Sequence, residues 1–87
     1  MYTRVDFGKE LKEMVMKKND VSDIGYWAHE MYIEHITDIM DNDPDLREIL
    51  LTLNTMELGP EFELSYKRLN EIADDLILGK KNLNLDY

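Results

Sequence analysis

SDIGYWAHEMYIEHITDIMDNDPDL, residues 22 to 46, decides the fold, because its first two thirds form a helical pattern that is apolar around most of its girth. With Ile24 at zero and about 100 degrees per residue, Trp27, Ala28, Met31, Tyr32, His35 and Ile39 fall on one face. Tyr26, His29, Ile33, Ile36 and Met40 fall on a second face. What stays polar is a narrow stripe of Asp23, Glu30, Glu34, Thr37, Asp38 and Asp41. The pattern predicts one helix over about 23–40, N-capped by Ser22 with Asp23 in its first turn. Such a helix either lies at the centre of a bundle or exposes its second row, Tyr26, Ile33 and Met40, to a partner.

Around it the chain is punctuated into further helices. Thr3 and Asp6 are spaced as a capping box, and Phe7, Leu11, Met14 and Val15 follow at helical spacing, giving a first helix over about 4–18. Asn19 and Asp20 end it. Asp43 followed by Pro44 is an N-cap with proline at the first helical position, and opens a helix over about 44–58. Leu46, Ile49, Leu50, Leu53 and Met56 form its core stripe, and Gly59-Pro60 stops it. Phe62 and Leu64 alternate with Glu61 and Glu63 in an extended connector. Ser65 caps a last helix over about 66–78, with Leu69, Ile72, Ala73, Leu76 and Ile77 inward and Gly79 past its end. The tail, 80–87, is expected to fray. The short connectors predict an all-α fold, a compact four-helix bundle in a single domain.

Charge is segregated along this frame. Residues 19 to 66 hold 12 carboxylates against one cation, Arg47, whereas residues 1 to 18 carry a net charge of plus 2 and residues 67 to 87 are neutral. The net charge of −9 therefore originates in the centre. A field of that sign repels nucleic acid and anionic lipid, so neither is an expected partner. No apolar run approaches the roughly 20 residues of a membrane-spanning helix. The first ten residues lack the apolar core of a secretory signal. With no cysteine in the chain, disulfides and thiolate metal sites are absent, and a cytoplasmic location is expected.

No catalytic constellation can be assembled, and no cofactor is called for. Asp41-Asn42-Asp43-Pro44-Asp45 opens like a calcium loop, but Leu46 stands where glycine is needed and Thr52 where a bidentate glutamate is needed. His29-Glu30 opens like a zinc-protease motif, but Ile33 occupies the position of the second ligand. His35 lies in the main apolar face and reads as a packed histidine within reach of the hydroxyl of Tyr2, Tyr66 or Tyr87. Gly25 reads as a site of close helix packing.

What remains is an interaction surface. Glu30 and Glu34, then Glu34 and Asp38, are like charges one helical turn apart, each pair costing about 0.2 to 0.5 kcal/mol, with no interleaved lysine to relieve them. A basic partner would. The expected contact set is Asp23, Tyr26, Glu30, Glu34, Asp38, Asp41, Asp43 and Asp45, with Tyr32 or Trp27 as further aromatic anchors. In size, charge and helix pattern the whole chain resembles the small acidic helical immunity proteins that bacteria make beside nuclease toxins, and the stretch from Tyr26 to Asp45 resembles their acidic binding helix and following loop. The Asp-x-x-Tyr-Tyr-Pro sequence of the colicin DNase immunity proteins is absent, so no residue role is carried over. The resemblance implies stoichiometric inhibition of a basic protein, a nuclease toxin, with no turnover. The alternative is a structural or regulatory bundle that forms a homodimer through Tyr26, Ile33 and Met40.

Overall fold

Helix breaks, more than helix lengths, shape this molecule. The computed structural model describes residues 2–59, 61 and 63–80. Among them are five α-helices: α1 (Arg4–Met16), α2 (Val21–Glu34), α3 (Ile36–Asn42), α4 (Pro44–Asn54) and α5 (Tyr66–Ile77), with a 3-10 turn at Thr55–Leu58 continuing α4. The expectations placed on Pro60, Phe62 and the tail beyond Lys80 lie outside the described residues.

The capping chemistry follows the sequence closely. The Thr3 hydroxyl accepts from the Asp6 amide, and Asp6 returns a carboxylate to the Thr3 amide, completing the box. The Thr3 amide and the Thr3 hydroxyl both donate to Asp6 Oδ2 and hold the exposed Asp6 carboxyl below its ordinary range, the amide bond contributing most. Asp43 accepts from the Leu46 amide and Ser65 from the Arg68 amide, at the starts of α4 and α5. Both α1 and α5 close with the paired bonds of a Schellman turn: Asn19 to Met14 and Lys18 to Val15 in the first, Lys80 to Asp75 and Gly79 to Leu76 in the second.

The single helix expected over 23–40 is a correction. It starts earlier, at Val21, because Asp20 and not Ser22 is the N-cap, its carboxylate accepting from the Ser22 amide. It then breaks at His35, whose φ of −112° and ψ of 21° depart from helical values. Three weaknesses coincide there. Ile33, Ile36 and Thr37 are β-branched, the acidic residues Glu30, Glu34 and Asp38 repel at one-turn spacing, and an external ring packs on His35. The expected four helices therefore become five.

Packing is antiparallel and sequentially nested. Gly8 meets Ala73 and Leu76 while Lys12 pairs with Asp74, which sets α1 against α5. Gly25 meets Leu53 and Met56 while Tyr32 meets Arg47, which sets α2 against α4 and the turn after it. The two pairs are joined by the Phe7 and Trp27 rings, stacked with centroids 4.7 Å apart. Phe7, Leu11, Ile24, Ala28, Ile39, Leu46, Leu50, Leu53, Leu69, Ile72 and Leu76 are all fully buried in one core. The Cα radius of gyration is 11.6 Å, close to the roughly 12 Å of a folded chain of this length.

Close approach needs glycine at two places. A Cβ on Gly25 would stand 2.9 Å from the Leu53 carbonyl oxygen, as the sequence suggested. A Cβ on Gly8 would stand 2.8 Å from Leu76 Cβ and 3.0 Å from the Ala73 carbonyl oxygen, so α1 and α5 touch nearly backbone to backbone.

Candidate interaction surface

The eight expected contact residues fall into two groups by exposure. On α2, Asp23, Tyr26, Glu30 and Glu34 all face solvent, and Asp41 does so on α3. None of these four carboxylates forms a salt bridge among the described residues. Asp38, Asp43 and Asp45 are half-buried, Asp38 turned towards Tyr2 before α1 and the other two towards Arg4 at its start. Asp38 Oδ2 accepts from the Tyr2 amide at 3.1 Å. Asp43 and Asp45 converge on Arg4: Nε donates to Asp43 Oδ2 at 2.8 Å, Nη2 donates to Asp43 Oδ1, and Asp45 Oδ2 lies 3.1 Å from Nη2. Arg4 is only 5% exposed, and its Nη1 also donates to the Lys80 carbonyl oxygen at 2.5 Å. The Asp43 bond, more than any other influence, raises the guanidinium above its ordinary value, against the effect of burial.

The second apolar row of the central stretch is at the surface. Tyr26 is 55% exposed, Ile33 57%, Ile36 42% and Met40 51%, against complete burial of Ile24, Ala28 and Ile39 on the other side. Glu30 lies three residues before Ile33, about 60° round the helix, and Glu34 about 100° round it, so the acidic stripe borders the exposed apolar row of α2. Arg47, the cation of the acidic centre, does not neutralise them. It reaches the Tyr32 hydroxyl at 3.3 Å and Glu48 Oε1 at 2.9 Å, and the Tyr32 contact contributes most to its raised pKa.

The other aromatic residues of the stretch face inward. Trp27 stacks on Phe7 and packs against the core, and Tyr32 is half-buried against it. The hydroxyl contact expected of His35 takes a different form, since the imidazole stacks flat on the Tyr2 ring, 3.9 Å between centroids and 6° between planes. The Tyr2 hydroxyl donates to Glu10 Oε2 at 3.0 Å, and that of Tyr66 to the Asn19 carbonyl oxygen at 2.7 Å. Burial, followed by the charge of Glu10, pushes the Tyr2 phenol well above its ordinary value.

Comparison of the chain with protein-family models, with curated proteins and with solved structures finds no match. The site therefore rests on its own chemistry.

Among the described residues no three of His, Cys, Asp and Glu are grouped to hold a metal ion. His29 Nδ1 and Asn54 Oδ1 are buried without a hydrogen-bond partner among the described residues. In a groove of about 480 Å³ along α1, lined by Lys9, Lys12, Glu13, Met16, Lys17 and Ile77, two of the three lysines are paired: Lys12 with Asp74, and Lys17 Nζ 2.9 Å from Glu13 Oε1. The Lys17 contact lowers the pKa of the exposed Glu13 carboxyl. No helix of the described residues is long and apolar enough to cross a membrane.

Arg4 is the residue that sequence reasoning passed over, and Tyr2 was named only as one of three candidate hydroxyl partners of His35, not as a ring that stacks on it. For Arg4 a signal existed, because it shares a helical face with Phe7 and Leu11, three and seven residues on, and a cation in that phase must be buried or paired. For Tyr2, whose ring and amide both meet the α2–α3 break, local sequence carries no such signal.

Proposed function

We propose that this chain is a non-catalytic binding module that docks the exposed face of α2 and α3 onto a basic protein and inhibits it stoichiometrically. One observation carries the reading: Tyr26, Ile33, Ile36 and Met40 are each 42% exposed or more, and unpaired carboxylates from Asp23, Glu30, Glu34 and Asp41 stand on the same two helices. An aromatic anchor inside a charged surround suits an interface hot spot, and the acidic surround accelerates encounter with a cationic partner. A nuclease toxin is the partner class favoured, because an enzyme that grips a phosphate backbone needs a positive groove, and an acidic surface of this kind complements it. In this reading α2 and α3 act as one broken arm of a four-membered bundle, presenting its outer side.

Self-association through Tyr26, Ile33 and Met40 is the second reading, favoured by their exposure. Charge works against it. A two-fold axis through that face would bring Glu30 and Glu34 up to their own copies, and like charges facing each other across an interface are repulsive.

Affinity capture on the tagged protein at low salt, followed by a salt elution series, tests both. The expected result is one basic protein retained near one-to-one, released by salt, and lost with Glu30→Lys/Glu34→Lys and with Tyr26→Ala. Equal retention by the charge-reversed variant would overturn the acidic-face reading. A concentration-dependent mass in sedimentation, with no foreign protein captured, would establish the second reading in its place.

A further inference from the structure

Seven residues do not hold a helix in water, where isolated helices shorter than about 12 to 15 residues are marginal. α3 is of that length and lacks the usual supports. His35 at its N-cap supplies no side-chain hydrogen bond, and Ile39 is its buried residue. Both flanking residues leave helical geometry, His35 at φ −112° and ψ 21° and Asp43 at φ −151° and ψ 71°. No continuous helical ladder therefore couples α3 to α2 or α4.

The segment before α1 and its first residues grip α3 at each end. At the front, the Tyr2 ring covers His35 and the Tyr2 amide donates to Asp38 Oδ2, while Glu10 fixes the Tyr2 hydroxyl from α1. At the back, Arg4 binds Asp43 and Asp45 and, through the Lys80 carbonyl, ties both to the end of α5. The contacts that meet at this short helix and its flanking residues span 33 to 41 positions of sequence.

We infer that Tyr2 and Arg4 form a latch on α3, which opens as a unit when the latch is released while the other helices stay folded. The pairing of α1 with α5 and of α2 with α4 uses core side chains from outside α3, which gives the core Ile39 alone. Resting on the proposed function, the latch has a consequence for binding. α3 carries Ile36, Met40 and Asp41, so Tyr2 and Arg4 are positioning residues that set half of the docking face without touching the partner. A partner that prefers the closed face would tighten the latch by the same free energy with which the latch favours the partner.

Native-state hydrogen exchange on the full chain tests the latch without any partner, so its failure and failure of the binding reading are separable. The reporters are the Ile39 and Asp43 amides, which donate to the His35 and Ile39 carbonyls. Tyr2→Ala should raise their exchange rates by about tenfold or more, with amides at the centres of α4 and α5 changing by less than about twofold. Tyr2→Phe keeps the ring and the amide, and should restore protection to within about threefold of the parent. Unchanged Ile39 and Asp43 amides in Tyr2→Ala would overturn the inference. So would a rise shared equally by α4 and α5, since α3 would then open only with the whole fold.

Discussion

Replacing Arg4 by Met removes a cation of similar length from a site where two carboxylates and a carbonyl point at it. The guanidinium makes a two-point contact with Asp43, a further ion pair with Asp45 at 3.1 Å, and a hydrogen bond to the Lys80 carbonyl. Breaking a fully buried ion pair from one side costs about 3 to 5 kcal/mol, because the abandoned charge stays desolvated. Here the Asp43 and Asp45 side chains retain 19% and 30% exposure, so water recovers part of that, and the expected loss is about 2 to 4 kcal/mol. For a domain of 87 residues, with a total stability of about 4 to 13 kcal/mol, that is a large fraction and a drop in Tm of about 10 to 25 °C. Urea unfolding followed by circular dichroism at 10 °C measures it. Arg4→Met/Asp43→Asn/Asp45→Asn removes all three charges while keeping an N-cap at position 43, and should recover at least half of the loss. A single variant that loses less than about 1 kcal/mol, or a triple variant no more stable than the single, would refute the account of Arg4 as the counter-charge of that turn. Because its contacts raise the Arg4 pKa, the stability it contributes is fully present below the ordinary arginine range and shows no decline from arginine titration near neutral pH.

Three further outcomes follow from the same geometry. Gly8→Ala gains about 1 kcal/mol in helix propensity, but its Cβ would meet the Ala73 carbonyl oxygen at 3.0 Å and Leu76 Cβ at 2.8 Å, so a net loss of about 1 to 2 kcal/mol is expected by urea unfolding, and a gain would contradict the tight α1–α5 contact. Lys18 has φ of 54° at the Schellman position that Gly79 fills in α5, so Lys18→Gly should stabilise by about 0.5 to 1 kcal/mol, read as a rise in Tm of several degrees. The Tyr2 phenol is raised on folding, so its stability contribution is fully present below about pH 10 and is lost as pH rises further and the unfolded chain ionises. Tyr2→Phe should lack that part of the alkaline decline, at most about 1 kcal/mol per pH unit for a partly exposed ring, and parallel curves for the two proteins from pH 9 to 11 would exclude it.

Local chemistry was legible in the sequence because it is encoded within a few residues. The capping box at Thr3 and Asp6, the Asp43-Pro44 start of α4, the Ser65 cap and the stripe from Leu46 to Met56 each depend on neighbours one turn away, and each is found in the structure. The helical phase around Ile24 likewise separated the side that packs on the core from the row of Tyr26, Ile33 and Met40. Tertiary structure decided the rest. The break at His35 depends on Tyr2, 33 residues away, whose ring and amide reward a non-helical geometry that local propensity only weakens. The packing of Tyr2 and Arg4 also divided the acidic stretch, leaving Asp23, Glu30, Glu34 and Asp41 in solvent and holding Asp38, Asp43 and Asp45 inward. Sequence fixes how much charge a segment carries, but a carboxylate's partner is chosen in three dimensions, where a cation 39 positions away is nearer than the next turn of its own helix.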